Sequence, residues 1–305
     1  MEFGKYQGHL KFVKAGGSFK NFMYLFIIIK IVNVAQIYNS MRKASFEMTE
    51  VAYGAALVLY IEGNWYKQAA ALLHEIEEKD ISLDAFALGS LIESFSILEN
   101  NSTPLAKTVE QSNLEVCKFL RSVFLNKYEN EQNMTDVVIS FLEKWKDVDT
   151  QDKAIVYNAC MNCLWKKGYK GLVRKILGIA REVYAGHTQP QFNETEWIID
   201  VSNLSVGAAK AAIFEWLNAV EVSVATNELD VEDGLEVTII TGYEFVLQIV
   251  RDNRYLKQML SKMLEELRSP FVNSEEMNPG KFVAKVMDVV SWISQGTTKD
   301  AMRLD

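Results

Sequence analysis

Cys160 and Cys163, three residues apart, are the first residues whose spacing could do chemistry. A C-x-x-C pair can ligate zinc or cycle between thiol and disulfide. The chain has one further cysteine, Cys117, and three histidines, His9, His74 and His187, which lie far apart and outside any His-Glu-x-x-His arrangement. No second pair completes a zinc site, so Cys160 and Cys163 read as small core residues on one helix face, and neither a metal nor a cofactor is expected. An odd count of three fits a reducing compartment. The other chemistry is electrostatic. Lys153 to Arg181 holds seven basic residues (Lys153, Lys166, Lys167, Lys170, Arg174, Lys175, Arg181) and no acid, whereas Ala211 to Val250 holds eight acids and no base. A polyanion is attracted to the first window and repelled by the second. A solvated helix face beside an acidic loop is the alternative reading of the same charges.

The elements that must carry these residues follow from composition and periodicity. The chain has 305 residues, 49% of them apolar and 24% charged, which is globular composition and about two domains' worth of length. Four prolines and 16 glycines favour long helices. The net charge of −8 resides from Glu196 onward, and the first 195 residues balance to zero. Residues 1–31 differ from the rest: five lysines stand against Glu2, and Phe22 to Ile29 is an apolar run of eight. That run is shorter than the roughly 20 residues that span a bilayer. Lys30 interrupts it and no small-residue cleavage site follows, so neither a membrane anchor nor a secretory signal is expected. A buried first helix or a segment foreign to the domain fits better.

Apolar spacing then predicts helices over Val32–Arg42, Glu50–Glu62, Trp65–Lys79, Asp84–Leu98, Leu105–Lys127, Thr135–Trp145, Asp152–Lys167 and Tyr169–Tyr184. None has enough apolar face to fold alone, so stacking must bury it, as in a solenoid. Beyond Glu196 the pattern changes. Strands are expected over Glu196–Val201, Leu235–Thr241 and Phe282–Ala284, and helices over Ser205–Val222, Asn253–Leu267 and Val286–Ile293. This alternation predicts a small α/β sandwich with a parallel strand pair and a right-handed crossover. The expected fold is therefore mainly α, with an α-solenoid over residues 32–190 and an α/β domain over 196–305.

Glu50 to Asp84 (EVAYGAALVLYIEGNWYKQAAALLHEIEEKDISLD) resembles a pentatricopeptide repeat of 35 residues. Tyr53 supplies the early aromatic, Gly63 the central break, Ala69 to Ala71 the small-residue second helix, and Ile81 to Asp84 the closing turn. A second match starts at Ala154, with Tyr157, Asn158 and Gly168 in register, and Val32 to Thr49 resembles the last half of an earlier repeat. Tetratricopeptide repeats, with a period of about 34, share the helix pair. The pentatricopeptide resemblance implies single-stranded RNA as ligand, read one base per repeat by the fifth and last residues. Here those positions are Gly54 with Asp84, and Asn158 with Thr188. Gly54 has no side chain with which to read a base. Lys166, Lys167, Lys170, Arg174 and Lys175 would face the phosphates. The alternative is that all of these are ordinary surface residues of a protein-binding solenoid.

IIDVSNLSVGAAKAAIFEWL, VTIITG, EELRSPF and NPGKFVAKVMDVVSWI, in that order, resemble a small MutS-related (Smr) domain over about residues 196–294. Smr domains following pentatricopeptide repeats are a plant organellar architecture. Active Smr domains resemble endonucleases with Leu-Asp-x-His and Thr-Gly-x-Gly motifs. The first aligns with Ile199, Asp200, Val201 and Ser202, and the second with Thr241, Gly242, Tyr243 and Glu244. Serine replaces a histidine that could shuttle protons, and glutamate replaces a glycine that could approach a phosphate. Phe245 to Arg251 is apolar where the family carries a Ser- and Gly-rich stretch.

The resemblance thus implies an organellar RNA-binding adaptor, chloroplast or mitochondrial, acting in RNA processing, stability or expression. Its Smr-like domain would be inactive and free to take a protein partner, with neither a membrane nor a small-molecule substrate involved. Two alternatives stand beside it: an RNA endonuclease working through Asp200, and a protein-binding scaffold. About four helix pairs are present, fewer than in longer relatives, and residues 1–31 lack the Arg- and Ser-rich composition of a transit peptide. Truncation or an incomplete gene model is the corresponding expectation.

Overall fold

The computed structural model describes residues 40, 43, 48–97, 103–124, 131–184, 191–192, 196–226, 235–242, 253–274 and 280–295. The N-terminal segment 1–31, nearly all of the expected Val32–Arg42 helix, Thr188, Glu244 and the Phe245–Arg251 patch lie outside these residues. The chain divides into two compact units, residues 1–129 and 130–305.

In the first unit, α1 (Glu50–Glu62), α2 (Tyr66–Glu78), α3 (Ala85–Ile97), α4 (Pro104–Gln111) and α5 (Glu115–Phe124) follow one another. Side chains start them: Thr49 accepts from the Ala52 N–H, Asp84 from Ala87 and Thr103 from Ala106. α1 packs on α2 and on α3, α3 packs on α5, α2 on α4, and α4 on α5. Odd helices thus line one layer and even helices the other. Leu57, Leu73, Ile76, Leu91, Leu105 and Phe119 are fully buried between them, each contributing roughly 1.5–3 kcal/mol. Phe95 and Phe124 meet edge to face at 5.6 Å. The single helix expected over Leu105–Lys127 is two. Ser112 is extended (φ −69°, ψ 143°), the Asn113 N–H donates to Glu77 Oε1 at 2.6 Å, and Arg121 Nη1 donates to the Val109, Glu110 and Ser112 carbonyls at the end of α4. These partners satisfy the backbone groups that the break strands.

In the second unit, α6 (Glu131–Glu143), α7 (Thr150–Lys166) and α8 (Lys170–Ile179) precede a five-stranded sheet. Its strands are β1 (Gln191–Phe192), β2 (Glu196–Asp200), β3 (Glu236–Ile240), β4 (Val272–Asn273) and β5 (Lys281–Lys285), in the order β1-β2-β3-β5-β4. β2 and β3 are parallel, joined through α9 (Val206–Ala225). The other pairings are antiparallel. α10 (Asn253–Glu266) and α11 (Val286–Ile293) complete the unit and pack on α9. Trp197, Ile199, Ile213, Trp216, Val237, Ile239, Val289 and Ile293 are buried here.

The chain is mainly helical with one small sheet, as its sequence predicts. The compact units meet at 129/130, so residues 130–190 group with the sheet, whereas the expected boundary between repeat-like helices and α/β domain falls between 190 and 196. The reason lies in α7 and α8, which both pack on α9. A Cβ added at Gly207 of α9 would stand 2.6 Å from Trp165 Cβ and 2.9 Å from Asn162 Cα, so only glycine permits this approach. Trp165 and Phe214 rings meet at 5.9 Å.

Candidate nucleic-acid interface

The repeat-like helix pairs share a turn that the sequence fixes. α1 ends with Trp65 N–H donating to the Tyr60 carbonyl at 2.7 Å and Asn64 N–H to Ile61 at 2.9 Å, with Asn64 left-handed at φ 57°. α7 ends in the same pattern, Tyr169 N–H to Leu164 at 3.0 Å and Gly168 N–H to Trp165 at 3.0 Å, with Gly168 at φ 87°. A left-handed residue after the helix is what this hydrogen-bond pattern requires, and Gly and Asn adopt it most readily. The positions in register between the two resemblances therefore hold equivalent backbone geometry at the turn.

The would-be base-reading pair of the first repeat is brought together. A Cβ at Gly54 would lie 3.5 Å from Asp84 Oδ2 and 3.3 Å from Ala87 Cβ. Asp84 is exposed, and its Oδ1 accepts from the Ala87 N–H at 2.7 Å as the cap of α3. Gly54 is buried in the α1–α3 contact, so a larger residue there would press on Ala87. On the neighbouring turn, Tyr53 Oη donates to Glu75 Oε1 at 2.8 Å, and Lys79 Nζ donates to both. The hydrogen bond to Glu75, then that to Tyr53, pushes the Lys79 ammonium pKa upward.

Asn158, expected to read a base in the second match, is 1% exposed. Its Nδ2 donates to the Asn203 carbonyl at 3.0 Å and its Oδ1 accepts from the Ser205 N–H at 2.7 Å. In this conformation its amide is buried and bonded through both Nδ2 and Oδ1, so it is not presented to a base. Nothing in the sequence near Asn158 signals partners 45 and 47 residues away.

The basic side chains lie around the turn between α7 and α8. Lys166, Lys167, Arg174 and Lys175 are exposed, and Lys170 is half-buried with Nζ 5.8 Å from the Trp165 ring centroid. Arg174 Nε donates to Glu215 Oε1 of α9 at 2.8 Å, so its charge is shared with a carboxylate. Trp165, which carries Lys170 on its ring, is an aromatic that charge counting missed. A concavity of about 440 Å³ between α2 and α4, lined by His74, Glu77, Glu78, Thr108 and Gln111, carries carboxylates that oppose a phosphate backbone.

Asp200 ends β2 in register with Ile240 of β3, and Thr241 and Gly242 follow directly. Asp200 Oδ1 accepts from the Ser202 N–H at 2.9 Å, a turn-capping contact. Thr241 is fully buried, with N–H and Oγ1 both donating to the Gly280 carbonyl at 2.8 and 3.1 Å, and Gly242 is left-handed at φ 91°. These four positions therefore gather at the carboxyl ends of the parallel strands, where ligands bind in open α/β sheets. Among the described residues, no three His, Cys, Asp or Glu side chains could share a metal ion. The three thiols are buried; burial pushes Cys117 up to about 11 and Cys160 well above its ordinary value. Such thiols are poor nucleophiles and poor metal ligands. No helix among the described residues is long and apolar enough to cross a membrane.

No family model matches the chain. Over 98 residues, 32% of its length, it is 34% identical to a chloroplastic pentatricopeptide repeat-containing protein of Arabidopsis thaliana. The match spans 12% of that protein's length.

Proposed function

We propose that the chain is an organellar RNA-binding adaptor in which pentatricopeptide-type helix pairs form a short solenoid followed by an Smr-like α/β domain. The observation that carries this reading is the 98-residue similarity to a chloroplastic pentatricopeptide repeat protein. The two-layer stacking of α1 to α5 supports it. So does the exposed basic turn at Lys166, Lys167 and Lys175, on which phosphates would be neutralised. The adaptor acts in RNA processing, stability or expression, in the chloroplast. Its Smr-like domain lacks hydrolytic activity, because Ser202 and Glu244 stand where a proton shuttle and a phosphate-approach glycine would be needed. That domain serves as a module for a protein partner.

The test is a titration of the full chain with a random single-stranded RNA pool at low and moderate salt, with the RNA run on a gel afterwards. Binding that weakens steeply with salt and leaves the RNA intact is expected. Cleavage lost on Asp200→Asn would replace the adaptor by an endonuclease. No RNA binding at either salt would leave the protein-binding scaffold as the better account.

A further inference from the structure

One face of α7 is built into the turn that joins β2 to α9. Asn158 donates to the Asn203 carbonyl and accepts from the Ser205 N–H, and one helical turn on, Asn162 Oδ1 accepts from the Gly207 N–H at 3.3 Å. Ser205 is itself the cap of α9, its Oγ accepting from the Ala208 N–H at 3.4 Å. Two amides at the start of α9 and one loop carbonyl thus depend on side chains of α7 for their partners. The Ser205 amide and the Asn158 amide are buried, so the alternative to these bonds is an unpaired polar group rather than water. The same turn holds Ser202, whose N–H is fixed by Asp200.

We infer that Asn158 is a positioning residue that holds the 202–205 turn at the carboxyl end of β2, and that Asn158 itself contributes no base readout. The second half of this statement rests on the RNA-binding reading; the first half does not. To reach a base, the Asn158 side chain would have to give up both partners and leave the buried Ser205 N–H without its acceptor. Nothing comparable restrains Asp84, whose carboxylate stays exposed while it caps α3. Asn158, at a fifth position, and Asp84, at a last position, are therefore assigned different duties by what packs on them.

The experiment compares the full-length protein with Asn158→Ala and Asn158→Asp by amide hydrogen exchange, read as ratios to the unmodified protein at each pH. Ionised, the introduced carboxylate opposes the Asn203 carbonyl; protonated, it can donate to it. Burial and that carbonyl raise its pKa above the ordinary aspartate value of about 4. The folded state then binds the extra proton, so the defect is absent below about pH 4 and grows as pH rises through the raised value. Exchange at Ser205 about tenfold faster at pH 7, recovering toward pH 4 in Asn158→Asp and not in Asn158→Ala, is expected. Unchanged Ser205 protection in both variants would overturn the positioning role. A merely space-filling role would leave no pH recovery, and that result too counts against it. In parallel, base preference is profiled on the random RNA pool for the unmodified protein and Asn158→Asp. Identical preference at every bound position is expected, and a switch at one position would overturn the absence of readout. If neither protein binds RNA, the RNA reading falls, and the exchange ratio still decides the role of Asn158.

Discussion

The helix pairs α1–α2 and α7–α8 are written in the same grammar and used differently. Tyr53 and Tyr157 occupy matching positions, as do Asn64 and Gly168 at the left-handed turn. Both tyrosines are buried, but the Tyr53 hydroxyl bonds to the charged Glu75 and Lys79 side chains, whereas the Tyr157 hydroxyl donates to the Leu142 carbonyl at 3.3 Å. The next residue diverges further. Gly54 gives up its side chain so that α1 can approach α3, and Asn158 spends its side chain on the β2–α9 turn. A repeat's local geometry follows from its own residues, but its function follows from its neighbour.

The largest effect that would break this comparison is at Gly207. Gly207→Ala drives a methyl into the α7 backbone and should destabilise the chain by about 2–3 kcal/mol in urea unfolding. Gly54→Ala is tight only against Ala87 Cβ at 3.3 Å, with Asp84 at ordinary contact distance, and gains about 1 kcal/mol of helix propensity, so it should fall within about 0.5 kcal/mol of neutral. Equal costs at the two glycines would refute the distinction.

Next in size is a pH effect. The Cys117 thiol ionises near 11 in the folded protein, against about 8.5 unfolded. The folded state thus retains a proton that the unfolded state releases, and stability falls as pH rises between those values, by about 1–2 kcal/mol at pH 10. Cys117→Ala should flatten that slope in the first unit, measured by thermal unfolding across pH 8 to 10.

Asp84→Ala removes the cap of α3 and should cost about 1 kcal/mol, read as a lower urea midpoint. It leaves the α1–α3 approach intact. The smallest effect is at the exposed Arg174–Glu215 pair, 60% and 31% exposed. Arg174→Gln should change stability by no more than about 0.5 kcal/mol, vanishing at high salt. A larger loss there would mean that the α8–α9 contact made by this pair fastens α9 as firmly as its α7 contacts at Asn158 and Gly207 do.

What the sequence made legible was whatever is settled within a few residues. The helix over Glu50–Glu62 and that over Val286–Ile293 were readable to the residue, because Thr49 and the apolar spacing mark them locally. The parallel strand pair was readable from β-rich runs flanking one amphipathic helix. The break at Ser112 was hidden because the groups that satisfy it, Glu77 and Arg121, come from other helices. β1 and β4 were hidden because two residues carry no period. Among the site residues, the Gly54–Asp84 adjacency followed from repeat register alone. Asn158 could not be resolved that way, since the residues that claim its amide belong to a different element 45 and 47 positions on.

Among the described residues, the sheet ends on both sides in strands of two residues, β1 and β4, which carry the exposed Phe192 and Val272. An open edge is a template on which a second chain can add a strand, and its hazard scales with the number of consecutive free amides and carbonyls it offers. Two residues offer too few for a stable ladder. At these described edges brevity does the guarding that charge or proline does elsewhere, even with apolar side chains at both rims.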